Sequence, residues 1–188
     1  FSSFSEKLEP KKLVLLINEY LTAMTDIIND QGGTLDKFIG DAIVAFFGAP
    51  VPMTDHAYKA CLTSQLMDRK LAELRLNWAT EDWPDIVPVM QHRMGINTGD
   101  MVTGNMGSIR RFNYTMMGDN VNLAARCESG AKQYHVFTMV TEATKMEAEK
   151  IGDECLFRLL DNIVVKGRTQ PVKVFEIAGL REDADQKK

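Results

Sequence analysis

The sequence predicts an α+β protein in which helices cover a mainly antiparallel β-sheet. Two observations carry this prediction. Segments with the apolar spacing of helices alternate with short apolar strands along the 188 residues. Several neighbouring strands are also joined by turns too short for a parallel crossover, which favours antiparallel pairing. The length fits one domain, which we place at residues 1–180, followed by a charged tail at residues 181–188.

Two long segments have the apolar spacing of amphipathic helices. The first covers Ser5–Gln31 and the second runs from about Thr54 to Trp78. Gly32 and Gly33 follow the first segment, and glycine readily takes the left-handed conformation that ends a helix. Shorter helices are predicted at Asn120–Gln133 and Thr141–Lys150.

The first two strands are predicted to form a β-hairpin from Thr34–Ile39 and Ala42–Phe47. Gly40 and Asp41 lie between them, and a Gly-X pair suits a type II′ turn. The second strand is apolar on both faces, which is typical of a central strand covered on both sides. Further strands are predicted at Val89–Asn97, from Met101 to Gly104, and at Arg111–Met117, Val136–Val140, Phe157–Val165 and Pro171–Ile177.

Composition narrows the possible partners and the cellular setting. The net charge of −4 argues against a nucleic-acid partner, because proteins that bind nucleic acids usually have an excess of basic residues. The three cysteines are far apart and form no CxxC pair, so we expect a reducing, cytoplasmic setting. The chain opens at Phe1 without an initiator Met, so we expect a longer protein with a preceding sensor or regulatory domain, which could carry a membrane anchor.

Three groups of polar residues stand where packing does not require them. The first is Lys37 with Asp41, in the stretch LDKFIGDAIVAFF. Asp41 stands at the hairpin tip, where a carboxylate can hold a hard cation such as Mg²⁺ together with substrate phosphates. On this stretch alone turn chemistry explains both residues, so an ordinary hairpin is the favoured interpretation.

The second group lies in the stretch NYTMMGDNVNLAARCE. Asn122 and Arg126 are four residues apart on a predicted helix and share one face, and Thr115 lies on the preceding strand. An Asn and an Arg near a helix N-terminus suit a phosphate and sugar site. The alternative, a local cap by Asn122 and a surface ion pair of Arg126, has equal weight from these residues alone.

The third group is Lys166, which precedes a glycine at the tip of a predicted hairpin. A lysine there can reach a phosphate as a point charge, although a solvated turn lysine is the more common case. The histidines His56, His92 and His135 lack partners at metal-ligand spacing, and the chain contains no P-loop motif.

Taken together, the motifs GGTLDKFIGDAIVAFFGAP, MGINTGDMVTGNMGS, NYTMMGDNVNLAARCE and VVKGRTQPVKVFEI resemble the catalytic domain of class III nucleotide cyclases. The resemblance covers nearly the whole chain, with the motifs in order. It implies a ferredoxin-like βαββαβ core with extra strands, that is, the nucleotide cyclase fold. It also implies a head-to-tail homodimer with two shared active sites.

The resemblance implies conversion of a nucleoside triphosphate to its 3′,5′-cyclic monophosphate and pyrophosphate with two Mg²⁺ or Mn²⁺ ions. The ribose 3′-oxygen attacks the α-phosphorus in line. Two aspartates of the family hold the metals, and Asp41 matches the second. The first metal-binding aspartate of the family lies on the opening strand, in a motif whose final Phe matches Phe1. We therefore expect this aspartate upstream of Phe1.

Further roles follow from the resemblance position by position. Asn122 matches the asparagine that orients the ribose, and Arg126 matches the arginine that stabilises the reacting phosphate. Lys166 matches the lysine that binds the triphosphate. Either Arg110 or Arg111 is a further candidate for phosphate contact, and the sequence does not choose between them.

Lys37 and Thr115 resemble the two base-reading positions of the family. Lysine only donates hydrogen bonds, which suits the N1 acceptor of adenine, and threonine can accept from the adenine amino group. ATP is therefore the expected substrate and cyclic AMP the expected product. The Lys/Thr pair resembles the subclass of cyanobacterial and soluble bicarbonate-responsive adenylate cyclases, which makes a bicarbonate response a hypothesis.

Two alternatives stay open at this stage. One is a guanylate cyclase or a cyclase of relaxed base preference. The other is a cyclase-like domain that binds nucleotide for regulation without turning it over. In the family the metal carboxylates come from one protomer and the nucleotide readers from the other, so Lys37 and Asp41 would serve different sites.

Overall fold

The computed structural model describes residues 7–164 and 171–185, so Lys166 lies outside the described residues. The helices are α1 (Pro10–Asp30), α2 (His56–Trp78), α3 (Asp119–Ala131), α4 (Glu142–Glu149) and α5 (Arg181–Asp185). The strands are β1 (Thr34–Ile39), β2 (Ala42–Phe46), β3 (Met94–Ile96), β4 (Val102–Ser108), β5 (Arg111–Met117), β6 (Thr138–Thr141), β7 (Cys155–Ile163) and β8 (Val172–Leu180).

The strands form one four-stranded sheet and two hairpins. The sheet has the order β3-β6-β8-β7, in which β3 and β6 are parallel and the other pairs antiparallel. The hairpins are β1–β2 and β4–β5, both antiparallel. Helix α3 packs on β3 and β6, and α4 packs between α2 and the sheet. The predicted α+β class with a mainly antiparallel sheet is confirmed.

The apolar spacing of α1 becomes the buried face of a helix pair. Leu16, Tyr20, Met24 and Ile28 are spaced four residues apart and are all buried. They pack with α2 in a cluster that includes the fully buried Trp78. Two further clusters lie against the four-stranded sheet, so the core is divided between the α1–α2 pair and the sheet.

The prediction that the second strand is central and covered on both faces is wrong for the described residues. Strand β2 pairs only with β1 there, and Phe46 is its only buried residue. Ile43 and Ala45 pack partly against the α1–α2 cluster, and Ala42 is exposed. An apolar run shows which residues avoid water, but it does not show how many strands lie beside them.

Element boundaries differ from the predicted ones mainly at the ends. Helix α1 begins at Pro10 rather than Ser5, because proline is favoured in the first turn and has no N–H to lose there. The strand predicted at Val89–Asn97 is limited to Met94–Ile96. The tail begins with the short helix α5, whose Glu182 and Asp183 accept hydrogen bonds from Arg69 of α2.

A glycine in β3 sets how closely α3 approaches the sheet. A Cβ on Gly95 would lie 2.2 Å from the backbone oxygen of Ala124 and 2.2 Å from the backbone nitrogen of Glu128. Backbone atoms of a packed helix cannot yield at that distance, so any side chain at this position must displace α3. The site residues Asn122 and Arg126 are on this helix.

We expect Gly95→Ala to destabilise the fold by about 1–3 kcal/mol, the usual cost of overpacking. Gly130→Ala is the matched control, because it lies within α3 itself and its Cβ would meet only Met139, at 3.6 Å or more. There, alanine should stabilise the helix by about 0.5–1 kcal/mol. Urea unfolding of both variants measures the difference. Equal stability of Gly95→Ala and the wild type would contradict the close approach of β3 and α3.

Candidate active site

The first group of site residues converges where the β1–β2 hairpin meets β5. Thr115 Oγ1 donates a hydrogen bond of 2.7 Å to Asp36 Oδ2. The ammonium of Lys37 lies 3.6 Å from the same oxygen. The Asp36 side chain is only 2% exposed, whereas that of Lys37 is 45% exposed. The structure therefore brings the two predicted base readers, Lys37 and Thr115, together at one carboxylate.

A β-bulge explains how consecutive residues reach the same place. Leu35 pairs with Ala45 and Lys37 pairs with Val44, so Asp36 is the extra residue in β1. In a regular strand, neighbouring side chains point to opposite faces, and a bulge breaks that alternation. The bulge is consistent with the convergence of Asp36 and Lys37, whose side chains approach within 3.6 Å of each other.

Sequence reasoning did not assign Asp36. The available signal was an acid within an otherwise mostly apolar strand, TLDKFI, directly before the lysine. Buried carboxylates require partners, so this signal predicts a polar neighbour without naming it. Only the packing of β5 against β1 identifies that neighbour as Thr115.

Helix α3 carries the second group. Asn122 is exposed, and Arg126 is partly buried one turn further along the same face. Nη1 of Arg126 is buried and has no hydrogen-bond partner among the described residues. A guanidinium only donates, and a buried donor without an acceptor costs about 1–3 kcal/mol. This orphaned donor fits an anionic ligand such as a phosphoryl group.

A chain of hydrogen bonds holds the start of α3. Asn97 donates to the backbone oxygen of Asn120 at 3.0 Å, and Asn120 donates to the backbone oxygen of Asp100 at 3.0 Å. Thr141 in turn donates to the side-chain oxygen of Asn97 at 2.7 Å. The first turn of α3 is thereby tied to the end of β6, which limits how far Asn122 can move.

Asp41 lies at the tip of the β1–β2 hairpin, as predicted. Gly40 has a φ of +64°, as a type II′ turn requires. The Asp41 carboxylate forms no hydrogen bond or ion pair with any described residue, and it therefore has free oxygens for a hard cation. Within residues 7–164 and 171–185, no three acid, histidine or cysteine side chains converge as a metal site.

Asp41 also influences the interior behind the hairpin. Burial raises the pKa of Tyr20 far above its usual value, and the nearby carboxylates of Asp41 and Asp68 raise it further. The Tyr20 hydroxyl lies 3.1 Å from His92 Nδ1, and His92 Nε2 lies 2.6 Å from Asp68 Oδ1. His92 thus links α1 to α2 as a structural histidine.

The two candidate arginines lie elsewhere in the chain. Arg110 and Arg111 are exposed at the turn of the β4–β5 hairpin, where Ser108 pairs with Arg111. Thr115 is four residues further along β5, which is about 13 Å in an extended strand. The structure therefore does not join either arginine to the cluster at Asp36 within one chain.

The cysteines are free and buried. Burial raises the pKa of the Cys127 thiol to about 11, and burial together with Glu154 raises that of Cys155 to about 11. Burial raises the pKa of Cys61 still further. All three therefore remain protonated thiols at neutral pH and supply no nucleophile.

The fold and the site together define an α+β domain suited to an anionic ligand, with a carboxylate at a hairpin tip and an arginine on α3 whose Nη1 lacks a hydrogen-bond partner among the described residues. Residues 1–179 match the family model for the adenylate and guanylate cyclase catalytic domain. This chain belongs to that family, and its fold is the nucleotide cyclase fold. Cyclases of this class use divalent metals, and their products are cyclic nucleotides.

Individual relatives agree with this assignment. The chain is 30% identical over 180 residues to Adenylate cyclase 1 of Rhizobium meliloti, covering 96% of this chain and 26% of that protein. The adenylyl cyclase CyaB from P. aeruginosa matches with a TM-score of 0.84 and 32% identity over 97% of this chain and 90% of that one. The guanylyl cyclase Cya2 also matches with a TM-score of 0.84, at 33% identity over 97% of this chain and 88% of that one.

The chain thus spans about a quarter of the length of the Rhizobium meliloti relative. Among the residues that the structure describes, no helix combines the length and the apolarity needed to cross a membrane. An adenylyl cyclase and a guanylyl cyclase match this chain with the same TM-score, so structural similarity does not distinguish ATP from GTP as the substrate. The base preference has to be inferred from the site residues.

Proposed function

We propose that this chain is the catalytic domain of an adenylate cyclase that converts ATP to 3′,5′-cyclic AMP and pyrophosphate. The observation that carries this proposal is the convergence of Lys37 and Thr115 at Asp36. Lys37 supplies a donor for adenine N1, and Thr115 supplies an acceptor for the adenine amino group. Guanine has the opposite pattern, with a donor at N1 and an acceptor at O6.

The remaining residues have roles that the reaction needs. Arg126 stabilises charge on the transferring phosphoryl group, and Asn122 on the same helix face orients the ribose. Asp41 would hold a divalent metal, which when bound activates the 3′-hydroxyl and neutralises the triphosphate. Lys166 and one of Arg110 or Arg111 are further candidates for triphosphate contact.

The proposal includes a head-to-tail homodimer with two shared sites. Within one chain Lys37 is directed toward Asp36, whereas the Asp41 carboxylate forms no hydrogen bond or ion pair with a described side chain. Ile109 and Phe112 at the turn of the β4–β5 hairpin are 103% and 62% exposed, and such apolar surface favours a partner. A second copy would cover it and complete each site.

A guanylate cyclase is the second candidate, because the guanylyl cyclase Cya2 is 33% identical to this chain. Steady-state rates with ATP and GTP, in Mg²⁺ and in Mn²⁺, separate the two. The protein assayed should contain both metal-binding aspartates that the family resemblance implies. We expect kcat/KM for ATP to exceed that for GTP about 5- to 150-fold, since mispaired base-reading groups cost about 1–3 kcal/mol.

The products should be identified by mass, so that cyclic AMP is distinguished from hydrolysis products. Equal rates with both nucleotides, or preference for GTP, would contradict the proposed base preference. Tight ATP binding without any cyclic product, in a protein with both metal carboxylates, would point to a regulatory nucleotide-binding domain instead.

A further inference from the structure

We propose that Asp36 is a positioning residue that sets the base preference by holding the Thr115 hydroxyl as a hydrogen-bond acceptor toward the nucleotide. This inference rests on the proposed adenylate cyclase function and deepens it. It assigns a role to a residue that itself does not need to touch the base. The role of Asp36 depends on the direction of its hydrogen bond with Thr115 and on the burial of its carboxylate.

The direction of the hydrogen bond follows from the groups involved. A threonine hydroxyl has one proton to donate and two lone pairs that accept. A carboxylate only accepts, so the 2.7 Å bond between Thr115 Oγ1 and Asp36 Oδ2 consumes the threonine proton. What remains on Thr115 for a base is a pair of acceptor sites, which match the amino group of adenine.

Burial makes this arrangement durable. The Asp36 side chain is 2% exposed, so water does not compete for Oδ2. Oδ1 is buried as well and has no hydrogen-bond partner among the described residues. Breaking the bond to Thr115 would leave a buried carboxylate without any hydroxyl donor, which is costly.

The same oxygen also orients Lys37. Its ammonium lies 3.6 Å from Asp36 Oδ2, beside the bulge in β1. The Asp36 carboxylate thus orients the Lys37 ammonium, which only donates hydrogen bonds. It also holds the Thr115 hydroxyl so that this group only accepts from a base. This donor–acceptor order matches adenine and opposes guanine, whose O6 would face the lone pairs of Thr115.

Asp36→Ala and Asp36→Leu remove the acceptor, and leucine, which is branched like aspartate but larger, fills the site if alanine impairs folding. The freed Thr115 hydroxyl can then rotate and donate to O6 of guanine. We expect the ratio of kcat/KM for ATP to that for GTP to fall about tenfold, within a range of about 5- to 150-fold. A merely structural defect would lower both rates and leave their ratio unchanged.

Two further variants make the test specific. If Asp36 acts mainly through Thr115, then Asp36→Ala should change the ratio much less in the Thr115→Val background than in the wild type, because only its contact with Lys37 is left to lose. Asp161→Ala is the matched control, because Asp161 also accepts a 2.7 Å hydrogen bond from a hydroxyl, that of Tyr134. Its ATP to GTP ratio should equal that of the wild type.

Competition of ATP and GTP for a fluorescent ATP analogue gives the ratio of their affinities, which tests the base preference independently of turnover. A wild-type protein without ATP preference in either measurement would contradict the proposed function. A wild type that prefers ATP, with Asp36→Ala and Asp36→Leu retaining its ratio, would overturn only the role of Asp36. The proposed role would also be overturned if Asp36→Ala lowered the ATP to GTP ratio equally in the wild-type and the Thr115→Val backgrounds.

Discussion

Replacing Arg126 by alanine is expected to lower the rate of cyclic nucleotide formation by about 10²–10³-fold, the usual cost of removing one donor that stabilises transition-state charge. The loss should appear mainly in kcat, because the developing charge on the phosphoryl group is greatest in the transition state. Rapid-quench or steady-state assays with ATP measure it.

Stability should change in the opposite sense from activity. Nη1 of Arg126 is buried and has no hydrogen-bond partner among the described residues, so its removal relieves an unpaired donor. We expect the unfolding midpoint of Arg126→Ala to equal or exceed that of the wild type. Arg126→Lys should restore only part of the activity, because lysine keeps the charge and loses the planar fork of donors.

Arg93→Ala is the matched control for loss of a cation beside α3. Its guanidinium lies 3.7 Å from Glu128 on that helix and is 42% exposed. An exposed pair of this kind contributes about 0–1 kcal/mol, so neither activity nor stability should change much. If Arg93→Ala and Arg126→Ala lost activity equally, Arg126 would have no special role in the reaction.

Replacing Asp41 by alanine or asparagine is expected to lower activity at least about 10²-fold, since metal ions supply several kcal/mol of transition-state stabilisation. The fold should be retained, because the carboxylate bonds to no described residue. Asp26→Asn is the control, because Asp26 is an exposed carboxylate on α1 outside the candidate site, and this variant should remain active. Full activity of Asp41→Asn in saturating Mg²⁺ would contradict its role as a metal ligand.

Mixing two inactive variants tests the shared site directly. Asp41→Ala and Arg126→Ala chains should each form inactive homodimers, but a heterodimer retains one site with both residues intact. Random mixing then restores about a quarter of the wild-type activity, and complete heterodimer formation about half. The same logic applies to Lys37→Ala mixed with Asp41→Ala. Verified heterodimers without activity would contradict the head-to-tail arrangement.

Much of the fold follows from local patterns in the sequence. The four-residue spacing of Leu16, Tyr20, Met24 and Ile28 predicts the buried face of α1, and the structure confirms it. The Gly40–Asp41 pair predicts the turn of the first hairpin, and Gly40 has the required positive φ. Such features are short-range, because they depend on backbone sterics and on which side of one element avoids water.

The sequence-based predictions were wrong where they depended on how many strands pair with a given strand. The apolar run of β2 predicts burial on both faces, but among the described residues β2 has β1 as its only strand partner. The predicted strand at Val89–Asn97 is confined to Met94–Ile96, where β6 offers backbone groups to pair with. Pairing partners lie far away along the chain, so periodicity alone cannot count them.

The candidate site, like the fold, was predicted in part from the sequence and in part became visible only in the tertiary structure. The sequence by itself determined the family of this chain through its motifs, and it predicted the candidate site residues Lys37, Asp41, Thr115, Asn122 and Arg126. Only the tertiary structure decided that Asp36 joins them, and that Thr115 donates its proton inward. A bulge in β1 and the approach of β5 created that contact, and the direction of a hydrogen bond exists only once both partners are in place.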